Sequence, residues 1–210
     1  MKNESIDRKP AIRNVIFDMG GVMIRYDPAH FVRRTGIESA EDRDALMKAV
    51  FRAPEWPLMD RGVLDEAAFE ALAFQRLPER LHDVAHRLIF AWEEPMEPIP
   101  GMADLARACK ARGRKVFLLS NASARQPEYW PRIPGSECFD GAVISALEHC
   151  LKPEEKIYRI LLERYGLKAE ESLFIDDVPA NVAGAERVGL RGALFTGDLE
   201  MLRRTVLEIL

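Results

Sequence analysis

Five short apolar runs punctuate the chain: Val15 to Phe17, Val116 to Leu119, Ala142 to Ile144, Leu173 to Ile175 and Ala193 to Phe195. Each is continuous rather than alternating, the pattern of a strand buried on both faces. Helical stretches lie between them, so the pattern predicts an α/β fold, a parallel sheet with helices on both faces. The punctuation agrees: Pro153 suits a first helical position and Gly166 a C-terminal cap, while Gly113 and Gly189 end two further helices.

The alternation breaks between Pro28 and Glu97, where no strand is evident and amphipathic runs such as Glu66 to Leu77 and Glu79 to Glu93 take over. This predicts an inserted helical subdomain. Its exit, Glu94 to Gly101, holds three prolines and cannot continue a helix, so it reads as a semi-rigid hinge back to the sheet. The expected division is an N-terminal tail at 1–11, a core made of 12–27 and 98–210, and a helical insertion at 28–97.

Composition narrows the class. Of 210 residues, 48% are hydrophobic and 30% charged, and 30 Lys plus Arg against 34 Asp plus Glu give a net charge of −4. That excludes disorder, collagen and coiled coil. No stretch is dominated by Lys and Arg, which argues against a nucleic-acid backbone or an anionic membrane surface as partner and leaves a small-molecule ligand. Cys109, Cys138 and Cys150 are odd in number and show no CxxC spacing, so neither a disulfide framework nor a thiolate zinc site is expected, and a reducing cytoplasm is the expected location. The polar N-terminus lacks the apolar stretch of an export signal, and no segment approaches the roughly 20 apolar residues of a membrane span. The expected assembly is a monomer or a homodimer.

In open parallel sheets, ligands bind beyond the C-terminal ends of the strands. The first strand ends at Asp18, the second at Ser120-Asn121 and the fourth at Asp176-Asp177, and Lys152 stands before a helix between the third and fourth. These residue types suit a phosphate ester. Mg²⁺ prefers oxygen ligands and is usually held by one or two carboxylates plus phosphate, which Asp18 with Asp176 or Asp177 can supply. Lys152 would cancel phosphoryl charge, the Ser120 hydroxyl would hydrogen-bond the phosphoryl oxygens, and Asp18 would attack phosphorus.

With these residues in place, the chain resembles the haloacid dehalogenase-like superfamily of aspartate-nucleophile phosphatases along nearly its whole length. The segments that carry the resemblance are Val15-Ile16-Phe17-Asp18-Met19-Gly20-Gly21-Val22, Leu118-Leu119-Ser120-Asn121, Lys152-Pro153, and Phe174-Ile175-Asp176-Asp177 with Asn181, in that order. Ser120-Asn121 with Tyr129-Trp130-Pro131 shortly after looks like the subgroup of bacterial sugar-1-phosphate phosphatases and the phosphatase domain of soluble epoxide hydrolases. The resemblance implies a Rossmann-like core with the insertion as a cap. It implies Asp18 as nucleophile and Mg²⁺ ligand, Asp177 as second ligand, and Asp176 as a ligand directly or through water. Ser120 and Asn121 would bind the phosphoryl group, and Lys152 would orient Asp18.

One departure matters. Most phosphatases of this superfamily carry a second Asp two residues after the nucleophile, and here that position is Gly20. Gly20 can offer its carbonyl to the metal but cannot move a proton, a contribution typically worth about 10²–10⁴-fold in rate. A leaving group that needs little protonation, such as the anomeric oxygen of a sugar 1-phosphate, is therefore expected. Asp27 is a candidate substitute acid, against its plainer reading as the cap of a helix at Pro28. His82 and His86, four apart, read as surface or packing residues rather than a zinc pair, and Trp56, Met59 and Trp92 read as the core or sheet-facing surface of the insertion. Asp60-Arg61-Gly62 reads as a turn between helices.

Three rival readings arise, and the residues count against the first two. A receiver domain places its acidic pair on the first strand, whereas here the pair comes last. A metal-free 2-haloacid dehalogenase has no need for Asp176-Asp177 together. A phosphosugar-binding protein with feeble turnover fits Gly20 and would bind without releasing phosphate.

Overall fold

The computed structural model describes residues 10–209, so most of the predicted tail at 1–11 lies outside the described residues. Five parallel strands, β1 (Asn14–Phe17), β2 (Lys115–Ser120), β3 (Gly141–Ile144), β4 (Ser172–Asp176) and β5 (Arg191–Leu194), form one sheet in the spatial order β3-β2-β1-β4-β5. The apolar runs are continuous because successive side chains enter two different cores. Ile16, Phe117, Leu119 and Phe174 pack on one face, against Tyr158 and Leu161 of the helix at Glu155–Tyr165. Val15, Phe17, Leu118 and Ile175 pack on the other, against Met102, Leu105, Leu202 and Val206.

Between β1 and the helix α6 (Met102–Ala111) lie α1 (Pro28–Arg34), α2 (Ala40–Ala49), α3 (Trp56–Asp60), α4 (Glu66–Phe74) and α5 (His82–Phe90). Local chemistry starts several of them. Asp27 accepts from His30 N at 3.0 Å, Ser39 from Asp42 N at 3.2 Å and Asp65 from Ala68 N at 2.7 Å, each supplying an acceptor to a helix N-terminus that has none of its own. The two ends of this helical segment meet. Ile24 bridges Pro98, Ile99 N donates to Met23 O at 2.9 Å, and Arg25 N donates to Glu97 O at 2.8 Å. The Arg34 guanidinium donates to the carbonyls of Trp92, Glu94 and Pro95 and to the Glu97 carboxylate, so a cation from α1 gathers the proline-rich exit.

The remaining helices are α7 (Gln126–Tyr129), α8 (Ser145–Glu148), α9 (Glu155–Tyr165), α10 (Pro179–Arg187) and α11 (Leu199–Ile209). Three sequence expectations shift. Pro153 is not the first residue of a helix: α9 begins at Glu155 with Glu154 as its cap. The fifth strand begins at Arg191 rather than Ala193, because hydrogen bonding to Leu173 and Phe174 of β4, not hydropathy, sets its limits. The run from Glu79 divides into a 3₁₀ turn at Glu79–Leu81 and α5. Gly166 caps α9 at φ 61°, as expected. Among the described residues, no helix is long and apolar enough to cross a membrane.

Candidate active site at the strand ends

Lys152 is the centre of the site. It reaches in from the loop between α8 and α9, and its ammonium lies 2.7 Å from Asp18 Oδ1, 2.7 Å from Asp176 Oδ2 and 3.0 Å from the carbonyl of Leu119. The Asn121 side chain holds the loop: its Oδ1 accepts from Lys152 N at 2.8 Å and its Nδ2 donates to Lys152 O at 3.0 Å. Sequence reasoning gave Asn121 to the phosphoryl group; the structure gives its carboxamide oxygen and one N–H to positioning Lys152.

The carboxylates come from the two central strands. Asp18 succeeds β1, with its backbone N–H bonded to Ile175 O at 2.9 Å, and Asp176 closes β4. Asp176 is saturated, since besides Lys152 it accepts from Val178 N at 2.8 Å and from Asn181 Nδ2 at 3.1 Å on each oxygen. Asp177 is exposed, and the loop after β1 presses against it. A Cβ on Gly21, whose φ is 79°, would stand 2.1 Å from Asp177 Oδ2.

The electrostatics show what this arrangement lacks. Burial, with the charge of Asp176 added and that of Lys152 opposing, raises the Asp18 pKa to about 7. Burial and Asp176 also push Asp177 up. Burial alone would lower Lys152, but Asp18 and Asp176 outweigh it and hold the ammonium charged. Asp18, Asp176 and Asp177 each offer an oxygen within 4.8 Å of one another, three carboxylates against one ammonium. An all-oxygen donor set with surplus negative charge fits a hard divalent cation. Ser120, at the end of β2, gives a second indication of a ligand: it is 1% exposed, and its Oγ has no hydrogen-bond partner among the described residues. A buried hydroxyl left so costs about 1–3 kcal/mol unless something else accepts or donates.

A cavity of about 250 Å³ opens beside Asp18, Gly20, Asn121, Lys152 and Asp177. Tyr26, Trp56, Met59, Ile89, Trp92 and Tyr129 make its apolar wall. Trp56, Met59 and Trp92 are buried, as their reading as core or sheet-facing residues requires, and in addition face this cavity. Two acids from the helical segment also line it, Asp60 at the end of α3 and Glu66 at the start of α4, and sequence reasoning missed both. Glu66 accepts from Ser123 Oγ at 2.5 Å. Burial and then the charge of Glu66 raise the Asp60 pKa to about 7, against the opposing influence of Lys152. In the sequence Asp60 reads as a turn residue between helices, and no local signal sets it apart from one.

Other candidates take plainer roles. Asp27 is the cap of α1 and does not line the cavity. The His82 ring stacks on Phe74 at 4.0 Å with its Nε2 near the carbonyls of Phe74 and Leu77, and His86 pairs with Glu70 at 2.6 Å. The three cysteines are free, with Cys109 and Cys150 buried.

The chain is similar to known phosphatases in sequence and to a HAD family enzyme in fold. A sesquiterpene phosphatase of Aspergillus oryzae is 26% identical over 194 residues, covering 88% of this chain and 90% of that protein. A phosphorylated carbohydrates phosphatase of Thermotoga maritima is 23% identical over 180 residues, covering 84% and 81%. The fold matches that of a HAD family enzyme from Bacteroides thetaiotaomicron, whose crystal structure holds magnesium and inorganic phosphate. The TM-score is 0.64 at 19% identity, over 89% of this chain and 96% of that one. The family profile of haloacid dehalogenase-like hydrolases matches residues 12–189, and the chain belongs to that family.

Proposed function

We propose that the chain, a hydrolase of phosphate esters, uses Asp18 to hydrolyse small organic phosphate monoesters with Mg²⁺ as cofactor and an aspartyl-phosphate as intermediate. The observation that carries this reading is Lys152 Nζ at 2.7 Å from Asp18 Oδ1, beside a second carboxylate, Asp177, on the neighbouring strand end. Asp18 and Asp177 would ligate the metal directly, with the Gly20 carbonyl as a further oxygen and Asp176 behind them, contributing at most through water. Magnesium held there supplies charge neutralisation at the phosphoryl oxygens. Lys152 favours the ionised form of the Asp18 carboxylate against its burial and aims it, and Ser120 Oγ donates to the phosphoryl group that arrives beside it. The helices of residues 28–97 act as a cap whose apolar wall keeps water from the reacting group.

Gly20 carries no proton, so the strand-end residues by themselves suit a leaving group that departs as a stable anion, as in sugar 1-phosphates. The cavity wall favours a second reading of the substrate. The six apolar or aromatic side chains of that wall suit a hydrocarbon leaving group, in keeping with the relative that is a sesquiterpene phosphatase.

The test is phosphate release from sugar 1-phosphates, sugar 6-phosphates, a terpenyl monophosphate and an aryl phosphate, with and without Mg²⁺, for wild type and Asp18→Asn. Mg²⁺-dependent release abolished in the variant is the expected result, and the substrate ranking separates the two readings of the leaving group. Ligand affinity without release from any ester, the outcome of a binding protein, would overturn the proposal.

A further inference from the structure

Position 20 has no side chain to move a proton. A Cβ on Gly20 would meet Tyr26 Cβ at 3.3 Å and Cγ at 3.5 Å, so a side chain there would crowd Tyr26. A proton donor must therefore come from elsewhere on the cavity wall. The ionisable groups there are Asp18, Tyr26, Asp60, Glu66, Tyr129, Lys152 and Asp177. Asp18 and Asp177 serve the phosphoryl group and metal, and Lys152 is bound to Asp18 and Asp176. Glu66 is engaged by the Ser123 hydroxyl. Burial first, and then the charge of Asp60, push the Tyr26 phenol far above neutral pH, and burial, Glu93 and Asp60 do the same to Tyr129.

Asp60 is left, and the fold holds it firmly. The peptide on its C-terminal side is seated on the sheet domain: Ser145 Oγ donates to Asp60 O at 2.5 Å, and His149 Nδ1 lies 3.3 Å from Arg61 O. The Arg61 guanidinium pairs with Glu154, two residues beyond Lys152. Gly62, at φ 68°, packs so closely that a Cβ would stand 2.1 Å from Ala146 O. Four contacts to α8 and the lysine loop thus fix the end of α3 to the segment that carries Lys152.

We propose that Asp60, delivered to the site by this seam, is the general acid and base of the reaction. The inference rests on the phosphatase reading above and adds the proton transfer which that reading lacks. In the first step Asp18 attacks phosphorus, the bond from phosphorus to the leaving oxygen breaks with its electron pair going to that oxygen, and Asp60 gives its proton to it. In the second, water attacks the aspartyl-phosphate, Asp60 takes the water proton, and the pair of the Asp18 oxygen–phosphorus bond returns to Asp18. Inorganic phosphate leaves, and Asp60 is again protonated. A carboxyl held up to about 7 by burial and Glu66 suits both halves at neutral pH.

The experiment compares an alkyl phosphate, glycerol 1-phosphate, with p-nitrophenyl phosphate in Mg²⁺, for wild type, Asp60→Asn and Asp60→Glu, with folding checked by thermal melts. Asp60→Asn is expected to lower kcat/KM for the alkyl ester by about 10²–10⁴-fold and for the aryl ester by less than about tenfold, since only the alkoxide needs a proton. The wild-type alkyl rate should fall above about pH 7, that limb should vanish in Asp60→Asn, and Asp60→Glu should restore it in part. Equal losses on both esters, or an unchanged pH profile, would overturn the role of Asp60 while leaving the phosphatase reading intact. A wild type silent on both esters would overturn the two together.

Discussion

Lys152 Nζ stands 2.7 Å from Asp18 Oδ1, with 1% of the lysine side chain and 10% of the aspartate side chain exposed. Such a pair is held by its own geometry, because removing either partner strands a dry charge. Lys152→Met should therefore cost about 3–5 kcal/mol of stability, leaving Asp18 and Asp176 without a cation between them. In a chain of this size each kcal/mol moves Tm by about 2–4 °C. Thermal melts will show the drop, and Mg²⁺ should recover part of it by replacing the lost positive charge.

Gly21 sets the position of Asp177. Alanine there meets both a φ of 79° and an oxygen 2.1 Å away, so Asp177 has to move. Mg²⁺ at 100 times its dissociation constant should raise wild-type stability by about 2.7 kcal/mol. Gly21→Ala should weaken the affinity about 10- to 100-fold, the range seen when ligand orientation is disturbed, and so cut that rise to between about 1.4 and about 0.4 kcal/mol at the same concentration.

Asp60 should make the stability of the metal-free protein depend on pH. Its pKa is raised from 3.8 to about 7, so between those values the folded chain binds the proton that the unfolded chain has lost. Its contribution is greatest below 3.8 and is lost as pH rises through about 7. Asp60→Asn removes this loss. The variant should melt several degrees above wild type at about pH 8 and together with it at about pH 4.

The seam between α3 and α8 can be opened without touching an acid. Gly62→Ala places a methyl group 2.1 Å from Ala146 O at a φ of 68°, a strain of about 1–3 kcal/mol. The end of α3 should lift away from α8. A rise in KM and a fall in kcat are expected, with Mg²⁺ affinity unchanged because Asp18 and Asp177 directly follow β1 and β4 and are not carried by α3. Steady-state kinetics beside a metal titration will separate the two effects.

The sequence by itself determined the sheet and which residues gather at its strand ends. In a parallel sheet buried on both faces the strands must be continuous apolar runs, so Val15 to Phe17 and Leu173 to Ile175 were legible. The acids at their C-terminal ends, Asp18 and Asp176-Asp177, had to emerge at one edge. Lys152 was legible as part of the same ordered set. Only the tertiary structure decided how Lys152 is held by Asn121, that the Ser120 hydroxyl is left without a partner among the described residues, and that Tyr26, Trp92 and Tyr129 share one cavity wall. It alone brought Asp60 to the wall of the strand-end cavity. The physical reason is separation along the chain: Asp60 and Lys152 are joined by no periodicity or local hydrogen bond. Their meeting depends on the close seating of Gly62 on Ala146 and of Arg61 on Glu154, contacts that exist only once the helices have packed onto the sheet.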